Sequence, residues 1–553
     1  MSALKNLFRK KSFHSITQSN HLSRHLGVKD LTALGIAAII GAGIFSTIGK
    51  ASASGGPGVI LLFLFVALAC SFTAFAYAEF ASIVPVSGSA YTYSYMVFGE
   101  LFAWLIGWSL IMEYAIGNVT VALSWSEYFT HLINHQTPFH IPEWLCVDYF
   151  SAKAAYFNSP SKQNTEAWLA YAQAPELWGQ KIIFDAPALF VNILITLLVY
   201  RGIKESRNAS NVMVLIKIAV VVLVIMVGAG YVSLDHWKPF LPNGINGLTG
   251  SISAVFFAYI GFDAISTTAE ECHNPQKDLP RGIFYALFIC TVLYILVALV
   301  LTGMVSYTEL NVGDPLAYVF DRFPELQWLG GIISISAVVA MASVMLVFQI
   351  GQPRIWYSMS RDGLLPKAFQ KIHPRYKTPS FSTLVTGILV AIPIFLVDIT
   401  MVTDICSAGT LFAFCLVCAG ILKLSRDPHR PKSAFKTPYL NSRFVLPLLL
   451  IIGIAFTYFY NPDFLHKCFN KPLDWQGIPM FIFWGIGTCI VLMAMWYEFS
   501  VIPTMGLLLC FYMLSELGLK NWLYFSSWLV VGLIIYFSYG YHHSALKKSL
   551  SES

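Results

Sequence analysis

Apolar stretches of near-constant length, separated by short polar or turn-forming segments, recur along the whole chain. They lie near 31–50, 58–79, 97–120, 183–200, 209–231, 247–269, 282–305, 328–350, 382–399, 404–423, 445–460, 477–498, 501–516 and 522–540. A helix that crosses the ~30 Å hydrocarbon layer needs about 20 predominantly apolar residues. The pattern therefore predicts an all-α polytopic membrane protein with about fourteen transmembrane helices. The 445–460 run is short, and only Phe499 and Ser500 part the 477–498 and 501–516 runs. Twelve helices, with two of the last four merged or half-inserted, is the alternative count.

Lys and Arg orient the bundle. If residue 1 is cytoplasmic, the segments 1–30, 201–207, 272–281, 354–377, 423–443 and 542–553 all lie inside. Together they hold 25 of the 35 basic residues. This positive-inside bias places both termini in the cytoplasm. The two largest outside segments are 131–182, which carries Trp144, Trp168 and Trp178 among polar residues, and 306–326.

Composition agrees with the pattern. The 553 residues are 56% hydrophobic and 12% charged, with mean hydropathy +0.65. Soluble domains carry roughly 25% charged residues, so an ordinary soluble or disordered protein is excluded. The ten cysteines fall mostly within apolar runs, where cysteine packs as a small hydrophobe. Cys415-x-x-Cys418 has no histidine near it and reads as packing; no metal or disulfide framework is visible. The segment 1–30 lacks an apolar core and is not a cleavable signal peptide.

Two places in this pattern look chemical. The first span contains Gly41-Ala42-Gly43-Ile44-Phe45, with glycines at mid-helix, and the sixth contains Tyr259-Ile260-Gly261-Phe262-Asp263. Each glycine costs a helix interior roughly 1 kcal/mol relative to alanine. Interrupted hydrophobic segments at corresponding positions of two halves point to a transporter's midplane site. The halves are 31–231 (spans 1–5) and 247–423 (spans 6–10). Unwound backbone offers N–H groups and helix-dipole ends to a carboxylate, and free carbonyls to an ammonium group. A zwitterionic amino acid presents both. The bland reading of the glycines is close helix packing.

Ionisable residues far from any span end are costly and mostly functional. Three qualify: Glu113 in span 3, Lys217 in span 5 and Asp263 in span 6. Glu113 either lines a substrate side-chain pocket or anchors the broken sixth span. Lys217 either exchanges a proton during a cycle or snorkels to the interface. Asp263 is a gate or a cap for the broken helix. No span contains a histidine, and there is no H-E-x-x-H, phosphate-binding glycine loop, G-x-S-x-G or potassium-filter motif. Neither a cofactor nor catalysis nor nucleic-acid binding is expected.

Specific motifs go further. Gly41–Phe45, Tyr77-Ala78-Glu79-Phe80 and Pro85 through Tyr91 resemble the amino acid–polyamine–organocation superfamily. Gly202 through Ser206, Phe257 through Glu271, Asn274 through Gly282, Gly351 through Trp356 and Ser360 through Pro366 resemble its cationic amino acid transporter family, bacterial members included. The likeness runs from about residue 25 to 425. It implies the leucine-transporter-type fold, a 5+5 inverted repeat with helices 1 and 6 unwound around the substrate, here with four further C-terminal helices.

The resemblance also implies roles. Ile40, Gly41, Ala42, Gly43 and Ile44 belong to the substrate site, with Gly41–Ile44 taking the carboxylate. Phe257, Ala258 and Ile260 take the amine and side chain, Phe257 doubling as a gate, and Glu113 lies near the pocket. Lys217 matches the lysine that stands where sodium binds in sodium-coupled relatives, which implies proton coupling or proton-sensitive exchange. Residues 501–543 resemble the family's final helix pair, so 440–500 reads as an inserted pair before the 544–553 tail. The expectation is a permease for L-amino acids in a bacterial inner membrane, by proton symport or by exchange. An amino acid sensor without transport is the reading from another class.

Overall fold

In the computed structural model, the described residues are 8–11, 26–86, 88–158, 165–202, 206–395, 399–428, 430–431, 433–460 and 477–547. Most of the expected 1–30 segment, residues 203–205 of the Gly202–Ser206 motif, the turn of the 440–500 pair and residues 548–553 lie outside them.

The main helices are α1 (Val28–Ile39), α2 (Ile48–Gly55), α3 (Val59–Ile83), α4 (Ser89–Val97), α5 (Glu100–Gln136), α6 (Ala186–Arg201), α7 (Ser206–Gly228) and α8 (Ile252–Phe257). Then come α9 (Pro275–Met304), α10 (Gln327–Arg361), α11 (Ser380–Ile394), α12 (Ile399–Leu424), α13 (Ser442–Tyr460), α14 (Ile478–Tyr497), α15 (Val501–Glu516) and α16 (Gly518–Ile535). Among the described residues, nine helical runs are long and apolar enough to cross a membrane. Shorter apolar helices stand at Ala186–Arg201, Ser380–Ile394, Ser442–Ala455 and Val501–Glu516. This is a polytopic helical membrane protein.

Its polarity is that of a bilayer solvent. On α3, Leu61, Leu64 and Leu68 are about half exposed, one face of a helix turned outward. On α5 the polar side chains Ser109, Glu113, Asn118, Thr120, Ser124 and Ser126 are buried. Backbone carbonyls one turn back, such as Leu105, Tyr114 and Ile116, accept from Ser109, Asn118 and Thr120. α5 is thus the central post, packed by α10, α12, α6 and α4. It continues through Gln136, 16 residues past the end of the 97–120 run, and Ser124, Ser126 and Tyr128 of that extension are buried against protein.

The described residues after α5 carry more regular structure than their polarity predicts. Helices Tyr149–Asn158 and Glu166–Gln173 and a two-stranded hairpin, Glu176–Leu177 with Gln180–Lys181, close over a small core of Ala152, Ala170, Ala174 and Ile183.

Two further features tie the bundle at one end. Glu100 pairs with Arg9 at 3.5 Å and accepts hydrogen bonds from Tyr95, Tyr536 and Ser544. Arg9 and the Tyr536–Ser544 stretch therefore meet on one side of the bundle. Glu79 of α3 is buried, pairs with Arg430 and accepts from the Thr437 N–H.

The segment 440–500 begins and ends at one point. Ser442 N–H donates to Phe499, Val501 N–H donates to Leu440, and the Ser500 hydroxyl donates to Pro438. Glu498 takes a left-handed conformation to turn α14 into α15.

Candidate substrate and coupling site

The first span does not run through. α1 stops at Ile39, and Ile40 is extended with φ −76° and ψ 102°. The helix resumes as a wide turn, Gly43–Thr47, in which both Ile44 and Phe45 N–H groups approach the Gly41 carbonyl at 3.2 Å. The sixth span breaks after Phe257. Gly261 turns the chain with φ +111°, and a 3₁₀ segment, Phe262–Glu271, continues. Each restart presents first-turn N–H groups that have no intrahelical carbonyl to bond.

The two breaks touch. A Cβ on Gly43 would stand 2.5 Å from Ala258 Cα and 2.6 Å from its Cβ. A Cβ on Gly261 would meet Ala38 Cβ at 2.9 Å and its carbonyl carbon at 3.1 Å. Glycine is therefore required at Gly261 by backbone angle and at Gly43 by approach. Gly41 faces a side chain instead, with Val344 Cγ2 at 2.5 Å from its notional Cβ.

Side chains from two neighbouring helices take the carbonyls freed by the first break. Lys217 of α7 is wholly buried and does not snorkel. Its Nζ donates to Ile40 O at 2.9 Å, Ala37 O at 3.2 Å and Ser343 Oγ at 2.8 Å, with Ala340 O further off at 3.5 Å. It thus ties α7 to α1 and α10. Tyr294 of α9 sits between the breaks, its hydroxyl 2.8 Å from both Ile39 O and Ala258 O and sharing one proton between them. Thr47 reaches Gly43 O and Ala254 O, each at 3.1 Å, and the Tyr128 hydroxyl donates to Phe45 O.

Glu113 and Asp263 are both buried beside the sixth break. They are 1% and 0% exposed and near enough to interact electrostatically, with the Tyr77 and Tyr114 hydroxyls alongside. Neither carboxylate hydrogen-bonds a described residue in ordinary geometry. Thr410 is nearest to Glu113, and the N–H groups of Gly261 and Ala264 to Asp263.

Ile40, Gly41, Ala42, Gly43, Ile44, Phe257, Ala258 and Ile260 all fall within or beside the two breaks, with Phe257 at 6% the most exposed of the apolar ones. Beyond the sixth break, Arg354 pairs with Glu271 at 2.7 Å and Leu26 bridges Cys272. Sequence reasoning missed Tyr294, Tyr77, Tyr114 and Ser343. Their signal, a hydroxyl within an apolar run, is shared by too many of the 27 tyrosines to single one out.

With this geometry in view, comparison with known proteins is decisive. The family model described as amino acid permease matches residues 26–504. The chain belongs to that family. A second model, "C-terminus of AA_permease", matches residues 500–544. The chain is 37% identical to the methylthioribose transporter of Bacillus subtilis (strain 168) over 99% of this chain and 100% of that one. It is 36% identical to the branched-chain amino acid permease BcaP of the same organism, over 98% and 99%. Cationic amino acid transporter 2, vacuolar, of Arabidopsis thaliana is 29% identical over 99% and 94%. These are transporters, and the chain is a multi-pass permease rather than an enzyme.

Proposed function

We propose that the protein is a secondary active transporter of L-amino acids in a bacterial inner membrane, coupling uptake to protons by alternating access. Its architecture in this reading is two inverted five-helix repeats, 31–231 and 247–423, followed by four helices. That makes fourteen spans with both termini cytoplasmic.

The observation that carries the reading is the contact between two chain breaks, one at the head of each half, with Lys217 bonded to the carbonyls of the first. Free N–H groups after the first break receive the substrate carboxylate. Carbonyls of the second, between Phe257 and Ile260, receive the ammonium group. Phe257 gates the pocket, Glu113 borders the side-chain space, and Asp263 supports the sixth break.

The test is uptake into proteoliposomes of radiolabelled Ala, Leu, Thr, Met, Arg and Lys, with methylthioribose beside them, with and without an inward proton gradient. The expected result is gradient-stimulated uptake of one amino acid group. Uptake only against internal amino acid would make it an exchanger. Uptake of methylthioribose alone would move the substrate class to that relative's. Silence throughout, with ligand-induced stabilisation, would mean a sensor.

The helices of 440–500 are accessory in this reading, supported by ends that meet at Leu440 and Ser500. The amino acid permease model also runs through this pair. Deleting 440–500 is expected to leave proteoliposome uptake close to that of the full chain. Lost uptake in a folded variant would make the pair part of the transport machine.

A further inference from the structure

A cavity of about 320 Å³ opens at the end of the bundle where Arg9 meets Glu100. Two of its walls are basic and come from distant parts of the chain. Lys10 and Lys11 stand on the irregular segment 8–11, and Lys423 and Arg426 at the end of α12. Its floor is apolar, built from Met96, Val97 and Leu424, each 4% exposed.

The segment 8–11 is held in place: the Glu100 N–H donates to Arg9 O at 2.9 Å, and Lys11 Nζ lies 2.7 Å from Asp362 Oδ1. Asp362 is also engaged by the Tyr91 hydroxyl. Lys11 is thereby neutralised, but Lys10 and Lys423 stand near enough to repel each other. Lys423 rests over the Phe98 ring at 5.0 Å and Arg426 over the Tyr497 ring at 4.1 Å. Among the described residues none of these three has a carboxylate partner. Asp427 is the one acid in the wall.

Like charges held together over an apolar floor need an anion. An arginine laid flat on an aromatic ring keeps its N–H edges free for a forked contact to phosphate oxygens. Lys423 is the penultimate residue of α12, which places the cavity at the level of lipid headgroups, where basic pockets between helices take anionic lipids. We propose that this cavity binds the phosphate of an anionic phospholipid, with Lys10, Lys423 and Arg426 on the phosphate and Met96, Val97 and Leu424 against the glycerol backbone. The proposal does not depend on which solute is carried.

The experiment is native mass spectrometry of detergent-purified protein offered phosphatidylglycerol or phosphatidylcholine, with inorganic phosphate as a separate arm. Wild type should retain phosphatidylglycerol in preference, and K10Q/K423Q/R426Q should lose at least about ten-fold of that preference. Phosphate competing the lipid off, or binding equally well, would make the free anion the ligand and overturn the lipid assignment. Equal retention of both lipids, or an unchanged preference in the variant, would overturn the site. Phosphatidylglycerol with a photoactivatable headgroup gives a readout in unmutated protein. Crosslinks within 8–11, 96–98 and 423–427 support the site, and crosslinks only elsewhere sink it.

Discussion

Gly43→Val is expected to abolish amino acid binding while leaving the bundle folded. The new Cβ would stand 2.5 Å from Ala258 Cα and 2.6 Å from its Cβ. Carbon atoms settle at about 3.5–4.0 Å, so the two breaks must part by roughly 1 Å. No side-chain rotation relieves this, because one of the opposing atoms is backbone. Overpacking of this kind costs about 1–3 kcal/mol, which a membrane bundle of this size survives. In the proposed site, the N–H groups after the first break would be carried away from the carbonyls after Phe257.

Gly41→Val is the useful comparison. Its opposing atom is Val344 Cγ2, which can turn aside, so its loss of affinity should be smaller. Equilibrium binding of the transported amino acid to purified variants measures both, with thermal unfolding as the check on folding. Wild-type affinity in Gly43→Val would place the substrate elsewhere.

The glycine pattern was legible because glycine is costly within a helix, and it marked both breaks. What it could not convey is that they touch. Gly43 against Ala258, and Gly261 against Ala38, are long-range approaches that depend on how the halves cross. Lys217, Glu113 and Asp263 stood out because charge is rare at that depth, and all three are buried. The pattern left open whether Lys217 snorkels. Three carbonyl and hydroxyl partners on α1 and α10 hold it inward.

Tyr294 was invisible for the opposite reason. A tyrosine in an apolar span reads as bulk, and only its placement between Ile39 and Ala258 makes its hydroxyl matter. α5 also outran its apolar run. Hydropathy cannot separate a helix end from a helix that continues with polar side chains against protein, as Ser124 and Ser126 do. The small folded unit between α5 and α6 was obscured likewise, since its core is four small or branched side chains within a polar stretch.

Lys217→Ala is expected to remove gradient-driven uptake and keep part of the binding. The ammonium group now supplies three donors to Ala37 O, Ile40 O and Ser343 Oγ, tying α7 to the end of α1 and to α10. A neutral amine has only two N–H groups, so it can keep both carbonyls only by giving up its bond to Ser343 Oγ or by drawing that hydroxyl's proton away from Ala340 O, to which it donates at 2.8 Å. Loss of a proton therefore loosens the tie at the point where α1 must move if access is to alternate. In the proposed mechanism the proton acts through that tie, and the substrate's carboxylate is held by N–H groups rather than by Lys217. Alanine leaves the tie permanently open and strands two buried carbonyls, each costing about 1–3 kcal/mol. The variant should bind amino acid with weakened affinity, and uptake should fall to the rate seen without a gradient. Proteoliposomes with matched and acid-outside conditions, assayed beside equilibrium binding on the same preparation, separate the two effects. Gradient-driven uptake undiminished in Lys217→Ala would take the proton away from this residue. Binding lost together with uptake would make Lys217 a support of the substrate site itself.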